Sequence, residues 1–245
     1  MRLDDKIAIV TGAGSGIGKA TAATFSELGA TVILTDVAEE AGAAAAAEIG
    51  GSARFVPLDV TDRAGCLALA ADLEGEFGRL DVLANVAGWD IIQPFVDGTD
   101  DFIDKVVEIN LKGPINMVKA MLPLLTASGS GRIVNVASDA GRVGSTGETV
   151  YAGAKGGVIA FTKSLAREVT RNGIRVNCVC PGPTDTPLFA NQSEKIKQAL
   201  ERAIPMRRIA QPSEIADAIA FFASDRASYV TGQILSVSGG LTMVD

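Results

Sequence analysis

Short hydrophobic segments rich in β-branched residues alternate with longer amphipathic segments along the whole chain. The short segments are almost continuously apolar, which is typical of strands buried on both faces of a parallel sheet. They predict seven strands, at residues 7–10, 31–35, 53–57, 81–85, 132–136, 175–179 and 234–237. The segments between them have helical periodicity and predict helices at residues 17–28, 39–49, 63–77, 101–125, 149–171 and 212–223.

This alternation of strand and helix predicts one α/β domain over residues 1–245, a doubly wound Rossmann fold with a seven-stranded parallel sheet and helices on both faces. Two prolines, Pro114 and Pro123, fall inside the fifth helical segment, and each is expected to bend or end the helix locally. The segment at about 184–206 begins proline-rich and continues polar and helix-like from residue 191. It predicts a mobile lid after the sixth strand.

Composition narrows the chemistry. The 245 residues contain no histidine, which excludes a Ser-His-Asp triad, a histidine general acid and the usual zinc sites, so we expect no metal. Proton transfer must then use Tyr, Lys, Asp, Glu or Cys. Three cysteines, Cys66, Cys178 and Cys180, are too few and odd in number for a secreted disulfide framework, and we interpret them as buried structural thiols.

Charge and hydropathy restrict the partners and the location. A net charge of −7 argues against a nucleic-acid partner or an anionic membrane surface. The first apolar segment is too short for a signal peptide, and no apolar stretch reaches the length of a membrane span. We therefore expect a soluble, cytoplasmic protein without a membrane partner.

A glycine-rich turn joins the first strand to the first helix. Its sequence is Thr11-Gly12-Ala13-Gly14-Ser15-Gly16-Ile17-Gly18. Glycines allow a tight turn and close approach to a pyrophosphate, whose charge would meet the free N–H groups of the helix. The alternative is a glycine-rich turn without a ligand.

The second strand ends at Asp36, which is placed to accept hydrogen bonds from an adenosine ribose and to repel a 2′-phosphate. This favours NAD over NADP, the alternative being a solvated aspartate at a strand end. Ligands in such sheets bind beyond the carboxyl ends of the strands. We therefore expect the loops after the third and fourth strands to bracket the adenine and its ribose, through Asp59, Val60, Asn85, Ala87 and Gly88.

A candidate catalytic pair lies in the predicted helix at 149–171. Tyr151 and Lys155 are four residues apart and share one helix face, so the ammonium could lower the pKa of the phenol toward working pH. Ser138 stands upstream, at the end of the fifth strand. A core tyrosine with a surface lysine is the alternative interpretation of the pair.

Taken together, these motifs resemble the classical short-chain dehydrogenase/reductase family over the whole chain. The glycine turn matches the family's TGxxxGxG pattern, Tyr151 and Lys155 match YxxxK, and Ser138 and Asn110 complete the family's catalytic tetrad. Residues matching the family's cofactor contacts are Gly12, Ser15, Gly16, Ile17, Gly18, Tyr151, Lys155, Pro181, Gly182, Thr184 and Thr186. One departure is Val86, where the family usually has a second asparagine.

The resemblance implies a role for each member of the tetrad. Tyr151 would exchange a proton with the substrate oxygen, and Ser138 would orient that oxygen. Lys155 would stabilise the phenolate and hold the nicotinamide ribose, while Asn110 would anchor a water that passes the proton to solvent. The family also implies a D₂ homotetramer.

The substrate is expected to contact the loops after the fourth and fifth strands and the two ends of the lid. Strings at 88–91, 138–144 and 235–243 resemble the branch of the family that acts on β-hydroxyacyl-CoA thioesters of the 2-hydroxycyclohexanecarboxyl type. We therefore expect a cyclic or branched β-hydroxyacyl-CoA as the substrate. An acyl-CoA partner would need local cations, for which the candidates are Arg142, Arg207 and Arg208, and Trp89 would form an apolar wall for the ring. Surface arginines and simple packing of the tryptophan are the alternatives.

Three other functions stay open. A 3-oxoacyl-acyl carrier protein reductase is disfavoured by Asp36, because fatty-acid synthesis reductases commonly use NADPH. A dehydrogenase of a free cyclic secondary alcohol lies within the same enzyme class. A non-catalytic NAD-binding subunit is disfavoured by the intact tetrad.

Overall fold

Seven parallel strands form the single sheet of the computed structural model, which describes residues 1–190 and 194–244. The sheet order is β3-β2-β1-β4-β5-β6-β7. The strands are β1 Ile7–Thr11, β2 Thr31–Asp36, β3 Ala53–Pro57, β4 Val82–Asn85, β5 Arg132–Val136, β6 Arg175–Pro181 and β7 Ile234–Val237. The order reverses between β1 and β4, so the switch point where such sheets bind ligands lies at the carboxyl ends of these two strands. The predicted doubly wound α/β fold is confirmed.

The described helices cover both faces of this sheet. They are α1 Gly16–Glu27, α2 Glu39–Ile49, α3 Arg63–Phe77, α4 Asp100–Val107, α5 Gly113–Ala127, α6 Ala140–Val143, α7 Thr149–Val169, α8 Pro187–Ala190, α9 Glu194–Ala203 and α10 Pro212–Ala223. Within the described ranges, no helix is both long enough and apolar enough to cross a membrane.

The core is divided by the sheet into two layers. Ala8 and Val10 of β1 face a layer built with α1, α2 and α10, whereas Ile7 and Ile9 face a layer built with α3, α5 and α7. The central strands are therefore apolar on both faces, which explains their continuous hydrophobic sequence. β3 and β7 alternate partly buried with exposed residues, because an edge strand has a neighbour on one side only.

The predicted helix at 101–125 is interrupted by a π-turn. α4 ends at Val107, residues Glu108–Lys112 form the π-turn, and α5 begins at Gly113. Pro114 stands in the first turn of α5, and the π-turn comes directly before α5. Pro123 lies inside α5, and the helix continues past it. Pro123 therefore does not end the helix, and bending at this residue stays a prediction.

The segment at 184–206 contains α8 and α9 in its described part. The start of the predicted helix-like stretch, residues 191–193, lies outside the described residues, and the lid function stays a prediction.

Gly42 provides a test of helix packing on the edge of the sheet. A Cβ at Gly42 in α2 would lie 2.0 Å from Cε2 of Phe55 in β3, so Gly42→Ala should lower the free energy of unfolding by about 1–3 kcal/mol. Gly75→Ala in α3 is the matched control, because nothing lies within 4 Å of its Cβ. There alanine should stabilise by about 1 kcal/mol through helix propensity. Urea unfolding measures both, and effects of the same sign would contradict the packing argument.

Candidate active site

The glycine turn lies at the switch point of the sheet. Gly12 and Gly16 have φ of 65° and 51°, in the left-handed region that favours glycine. A Cβ on Gly12 would lie 2.7 Å from Cα of Ala87 in the loop after β4, and one on Gly18 would lie 2.0 Å from the Gly12 carbonyl oxygen. The turn, the helix and the neighbouring loop are therefore packed backbone against backbone, with no room for side chains between them.

The first turn of α1 has free donors. Ser15 is the N-cap residue, and its side chain makes no capping hydrogen bond. The amides at this helix end are thus available to an anion such as a pyrophosphate. Thr186, just before α8, lies against the turn, since a Cβ on Gly16 would be 3.1 Å from its Cγ2. The glycine turn and the segment after β6, both of which are expected to contact the cofactor, therefore lie against each other.

The segment after β6 is fixed by close contacts with the C-terminal strand. The Gly182 N–H donates to the Val237 carbonyl at 3.0 Å, and a Cβ on Gly182 would lie 2.6 Å from Cβ of Ser238. The Thr184 hydroxyl donates to the Gly182 carbonyl at 2.9 Å. This holds Pro181 to Thr186 beside the glycine turn.

Asp36 is held at the end of β2 by two backbone donors. Its Oδ2 accepts from the Gly14 N–H and its Oδ1 accepts from the Ala38 N–H, both at 2.9 Å. A carboxylate is therefore fixed beside the turn, where an adenosine ribose lies in dinucleotide-binding sheets. These contacts, with the uncapped helix end, fit a dinucleotide.

The other residues predicted to contact the adenine and its ribose differ in how accessible they are to a ligand. The exposed Asp59 carboxylate accepts from the backbone N–H and the hydroxyl of Thr61, and Val60 is buried with its carbonyl accepting from Asn116. Asn85 is 2% exposed and donates through Nδ2 to Asn135 within the sheet. Only the backbone of Asn85 could therefore reach a ligand.

Ser138, Tyr151 and Lys155 come together at the start of α7. Lys155 is buried, its Nζ donates to the Val136 carbonyl at 2.9 Å and lies 5.5 Å from the centre of the Tyr151 ring. The Ser138 hydroxyl accepts from the Ala140 N–H at 3.1 Å and lies near enough to Tyr151 to lower the pKa of the phenol. A Cβ on Gly141 would lie 2.7 Å from the Gly156 nitrogen, so the loop carrying Ser138 rests directly on the backbone of α7.

The pKa of Tyr151 is raised above its ordinary value, chiefly by burial and then by the Glu148 carboxylate, and the nearby Ser138 hydroxyl offsets this only in part. The expectation that Lys155 lowers the pKa of Tyr151 toward working pH stays a prediction. The Lys155 ammonium donates to a backbone carbonyl, and its own pKa is lowered by burial to about 8, against the opposing effect of the Cys178 and Cys180 sulfurs. At neutral pH the Tyr151 phenol is protonated, the form that gives a proton to a ketone.

Asn110 fastens the loop after β4. It lies fully buried in the π-turn, and its Nδ2 donates to the carbonyls of Trp89 at 2.6 Å and Val106 at 2.9 Å. Its Oδ1 accepts from the Trp89 N–H at 3.2 Å. The side-chain amide of Asn110 is thus occupied by the protein and positions this loop. The expectation that Asn110 anchors a water stays a prediction. Gly88 lies between it and Lys155, with room for no side chain.

The predicted substrate residues have protein partners. The Trp89 ring packs on α4, 5.8 Å from the Phe102 ring and 4.0 Å from the Lys105 ammonium. Arg142 donates to the Ser236 hydroxyl at 2.9 Å and to the Val244 carbonyl at 3.0 Å.

Both arginines at the lid end are exposed. Arg208 forms a bidentate ion pair with Glu214 at 2.6 Å, and Arg207, at a left-handed φ of 57°, donates to the Arg202 carbonyl. Arg142 and Arg208 therefore already have partners within the chain and are not free to bind a CoA phosphate.

Two acidic residues of this site were missed by sequence reasoning. Asp90 and Glu148 line a small cavity with Tyr151, walled on the apolar side by Phe95, Phe102 and Ile103. The signal for Asp90 is an acidic residue inside the apolar run 89–92. Glu148 carries no such signal, because it stands in a polar loop.

Metal and disulfide chemistry find no support in the described residues. No three His, Cys, Asp or Glu side chains of residues 1–190 and 194–244 are grouped so that they could hold a metal ion. Cys66, Cys178 and Cys180 are all free and buried, as expected of structural thiols.

Comparison with known proteins finds relatives over nearly the whole length of the chain. A family model described as enoyl-(acyl carrier protein) reductase matches residues 12–242. The chain is 44% identical to a cis-4-hydroxycyclohexanecarboxylate dehydrogenase of Sinomonas cyclohexanicum, over 98% of each chain. It is 40% identical to a 3-oxoacyl-(acyl-carrier-protein) reductase of Thermotoga maritima, over 99% of this chain and all of the relative. It is 41% identical to the oxidoreductase UcpA of Escherichia coli, over 99% and 96%.

A doubly wound sheet with a glycine turn at its switch point, and a Ser–Tyr–Lys group beside it, defines an oxidoreductase that binds a nicotinamide cofactor. With matches over nearly its full length, the chain belongs to the classical short-chain dehydrogenase/reductase family.

Tyr151→Phe should lower turnover by about 10²-fold or more, the contribution usual for a general acid or base, because the chain has no histidine to take over. The ring would still fill the site, so NADH affinity, measured by fluorescence titration, should stay within about twofold. A variant that kept more than about a tenth of the wild-type rate would show that another group carries the proton.

Proposed function

We propose that the protein is an NAD-dependent dehydrogenase that interconverts a ring secondary alcohol and its ketone, on a cyclic carboxylic acid or its CoA thioester. The observation that carries this proposal is the Tyr151 phenol, which lies one helical turn before the buried Lys155, 5.5 Å from its ammonium, and near enough to Ser138 for that residue to act on its pKa. In a chain without histidine, this phenol is the group best placed to exchange a proton with a substrate oxygen.

Each residue has a distinct part in this reaction. A bound nicotinamide cofactor would supply the hydride chemistry, as acceptor for the alcohol and as donor for the ketone. Ser138 holds the substrate oxygen by a hydrogen bond, and Tyr151 Oη gives its proton to that oxygen in reduction or takes it in oxidation. Lys155 places a positive charge beside the phenol, which favours the phenolate formed when the proton leaves. Gly12, Gly16 and the first amides of α1 would hold the pyrophosphate.

Asp36 supports NAD rather than NADP. Its carboxylate is fixed by the Gly14 and Ala38 amides and cannot turn away without losing two hydrogen bonds. A 2′-phosphate on the adenosine ribose would meet this charge at close range, whereas a 2′-hydroxyl can donate to it.

The cofactor preference follows from this charge. The wild type should show kcat/KM for NAD at least about 10-fold above that for NADP, as expected for like charges in contact. Asp36→Asn should narrow the preference mainly by improving NADP. Glu27→Gln removes the same charge at the exposed far end of α1 and should leave the ratio unchanged. A wild-type preference for NADP would contradict the assignment.

The ring substrate is supported by two independent likenesses. One relative, at 44% identity, is named for cis-4-hydroxycyclohexanecarboxylate. The strings at 88–91, 138–144 and 235–243 resemble the family branch that acts on 2-hydroxycyclohexanecarboxyl thioesters. All three arginines expected to meet an acyl-CoA, Arg142, Arg207 and Arg208, make hydrogen bonds within the chain, so a CoA phosphate would have to replace these contacts. A homotetramer, proposed from the family resemblance, can be tested by light scattering.

A second candidate is reduction of 3-oxoacyl thioesters of acyl carrier protein. It is favoured by the relative of Thermotoga maritima, whose name states that activity. Such reductases commonly use NADPH, and the fixed carboxylate of Asp36 would repel the 2′-phosphate of that cofactor.

A substrate panel distinguishes these functions. With NAD or NADH we expect cis-4-hydroxycyclohexanecarboxylate or 2-oxocyclohexanecarboxyl-CoA to exceed cyclohexanol, acetoacetyl-CoA and an acetoacetyl acyl carrier protein in kcat/KM by about 10-fold or more, the scale of specificity from one pocket. Fastest turnover of the carrier-protein thioester would assign the reductase function instead. NAD binding without turnover of any compound would point to a non-catalytic NAD-binding subunit.

A further inference from the structure

Asp90 has an unusual environment for a carboxylate next to a reacting group. It lies in the loop after β4 and is only 7% exposed. No described residue donates a hydrogen bond to the buried Oδ2. Burial raises the pKa of Asp90 to about 6, so the group is largely ionised at neutral pH. Its negative charge is therefore only partly compensated.

This charge lies in the same cavity as the Tyr151 phenol. Glu148, partly buried just before α7, lines the cavity as well, and both carboxylates act on the phenol to raise its pKa. The neighbouring cations are directed elsewhere, since Lys105 lies over the Trp89 ring and Lys155 donates to Val136. Within the described chain, no lysine or arginine forms an ion pair with Asp90 or Glu148.

We propose that Asp90, assisted by Glu148, is a specificity-determining residue that excludes a free carboxylate from the ring carbon next to the reacting carbinol. The proposal rests on the ring-alcohol function and specifies its substrates. A carboxylate at that position would stand close to two like charges in a site with little water. An ester or thioester there is uncharged and is accepted, and a carboxylate across the ring is far enough away to be accepted too.

One consequence concerns the reaction that supplies the substrate. A 2-hydroxy ring acid would be used only after its carboxylate has been masked, so a reaction that activates the acid as a thioester must come before this enzyme. A 4-hydroxy ring acid needs no such activation. The charge of Asp90 thus requires a thioester when the hydroxyl group is at position 2 of the ring, and it allows the free acid when the hydroxyl group is at position 4.

The test compares four compounds with wild type and Asp90→Asn, which removes the charge and keeps the side-chain size. These are 2-hydroxycyclohexanecarboxylate, its methyl ester, cis-4-hydroxycyclohexanecarboxylate and the methyl ester of that isomer. For the 2-isomer, the wild-type ratio of kcat/KM, ester over acid, should be about 10 or more and should fall about 10-fold in Asp90→Asn, mainly because the acid improves. For the 4-isomer the ratio should change less than about twofold.

Two further variants serve as controls. Glu148→Gln should lower the 2-isomer ratio less than Asp90→Asn, because Glu148 is more exposed to solvent. Asp72→Asn, on the exposed side of α3, changes the net charge equally and should leave all ratios unchanged. Thermal unfolding checks that each variant is folded.

The outcomes separate the two proposals. An unchanged 2-isomer ratio in a folded Asp90→Asn variant, or a wild type that prefers the free 2-isomer acid, would overturn the role of Asp90 while the ring-alcohol function stood. Absence of wild-type turnover with all four compounds and with 2-oxocyclohexanecarboxyl-CoA would overturn the proposed function, and this inference with it.

Discussion

The burial of the Lys155 ammonium is the constraint on which the rest of the site depends. A buried charge of this kind is costly unless it is hydrogen-bonded, and its partner here is the Val136 carbonyl at the end of β5. α7 must therefore lie close against the sheet end. The absence of a side chain at Gly141 permits this approach, because a Cβ there would meet the Gly156 nitrogen at 2.7 Å. Ser138 and Tyr151 are brought together by the same contact.

A second consequence of this packing is electrostatic. The positive charge of Lys155 faces the sheet, whereas Glu148 and Asp90 lie on the cavity side of the Tyr151 phenol. At neutral pH the phenol keeps its proton in this environment. A positive charge beside the phenol would favour the phenolate that the oxidative direction requires, and an oxidised nicotinamide ring would supply one.

The sequence predicts the framework well because the signals for it are local. Continuous apolar strands, the glycine turn and Asp36 each depend on a few neighbouring residues, and the strand order follows from the general rules for parallel sheets. The π-turn at Glu108–Lys112 is not visible in this way, because one extra residue in a helix barely changes the hydrophobic period. It nevertheless sets the position of Asn110, whose amide fixes the loop that carries Asp90.

A residue pattern cannot predict the hydrogen-bond partners of a side chain when those partners are distant in the sequence. Arg142 looks like a free cation next to Ser138, but its guanidinium is bound to Ser236, 94 residues away, and to Val244. Ser236 donates in turn to Asp139, so the loop that carries Ser138 is tied to the C-terminal strand by a chain of polar contacts. Charges that serve this internal network are not available to a substrate. Asp90, whose Oδ2 has no described donor, is the contrasting case, because an uncompensated charge acts on whatever enters the cavity. On the proposal made above, substrate selection therefore depends more on the uncompensated carboxylate of Asp90 than on Arg142, Arg207 and Arg208, the cations expected from the sequence.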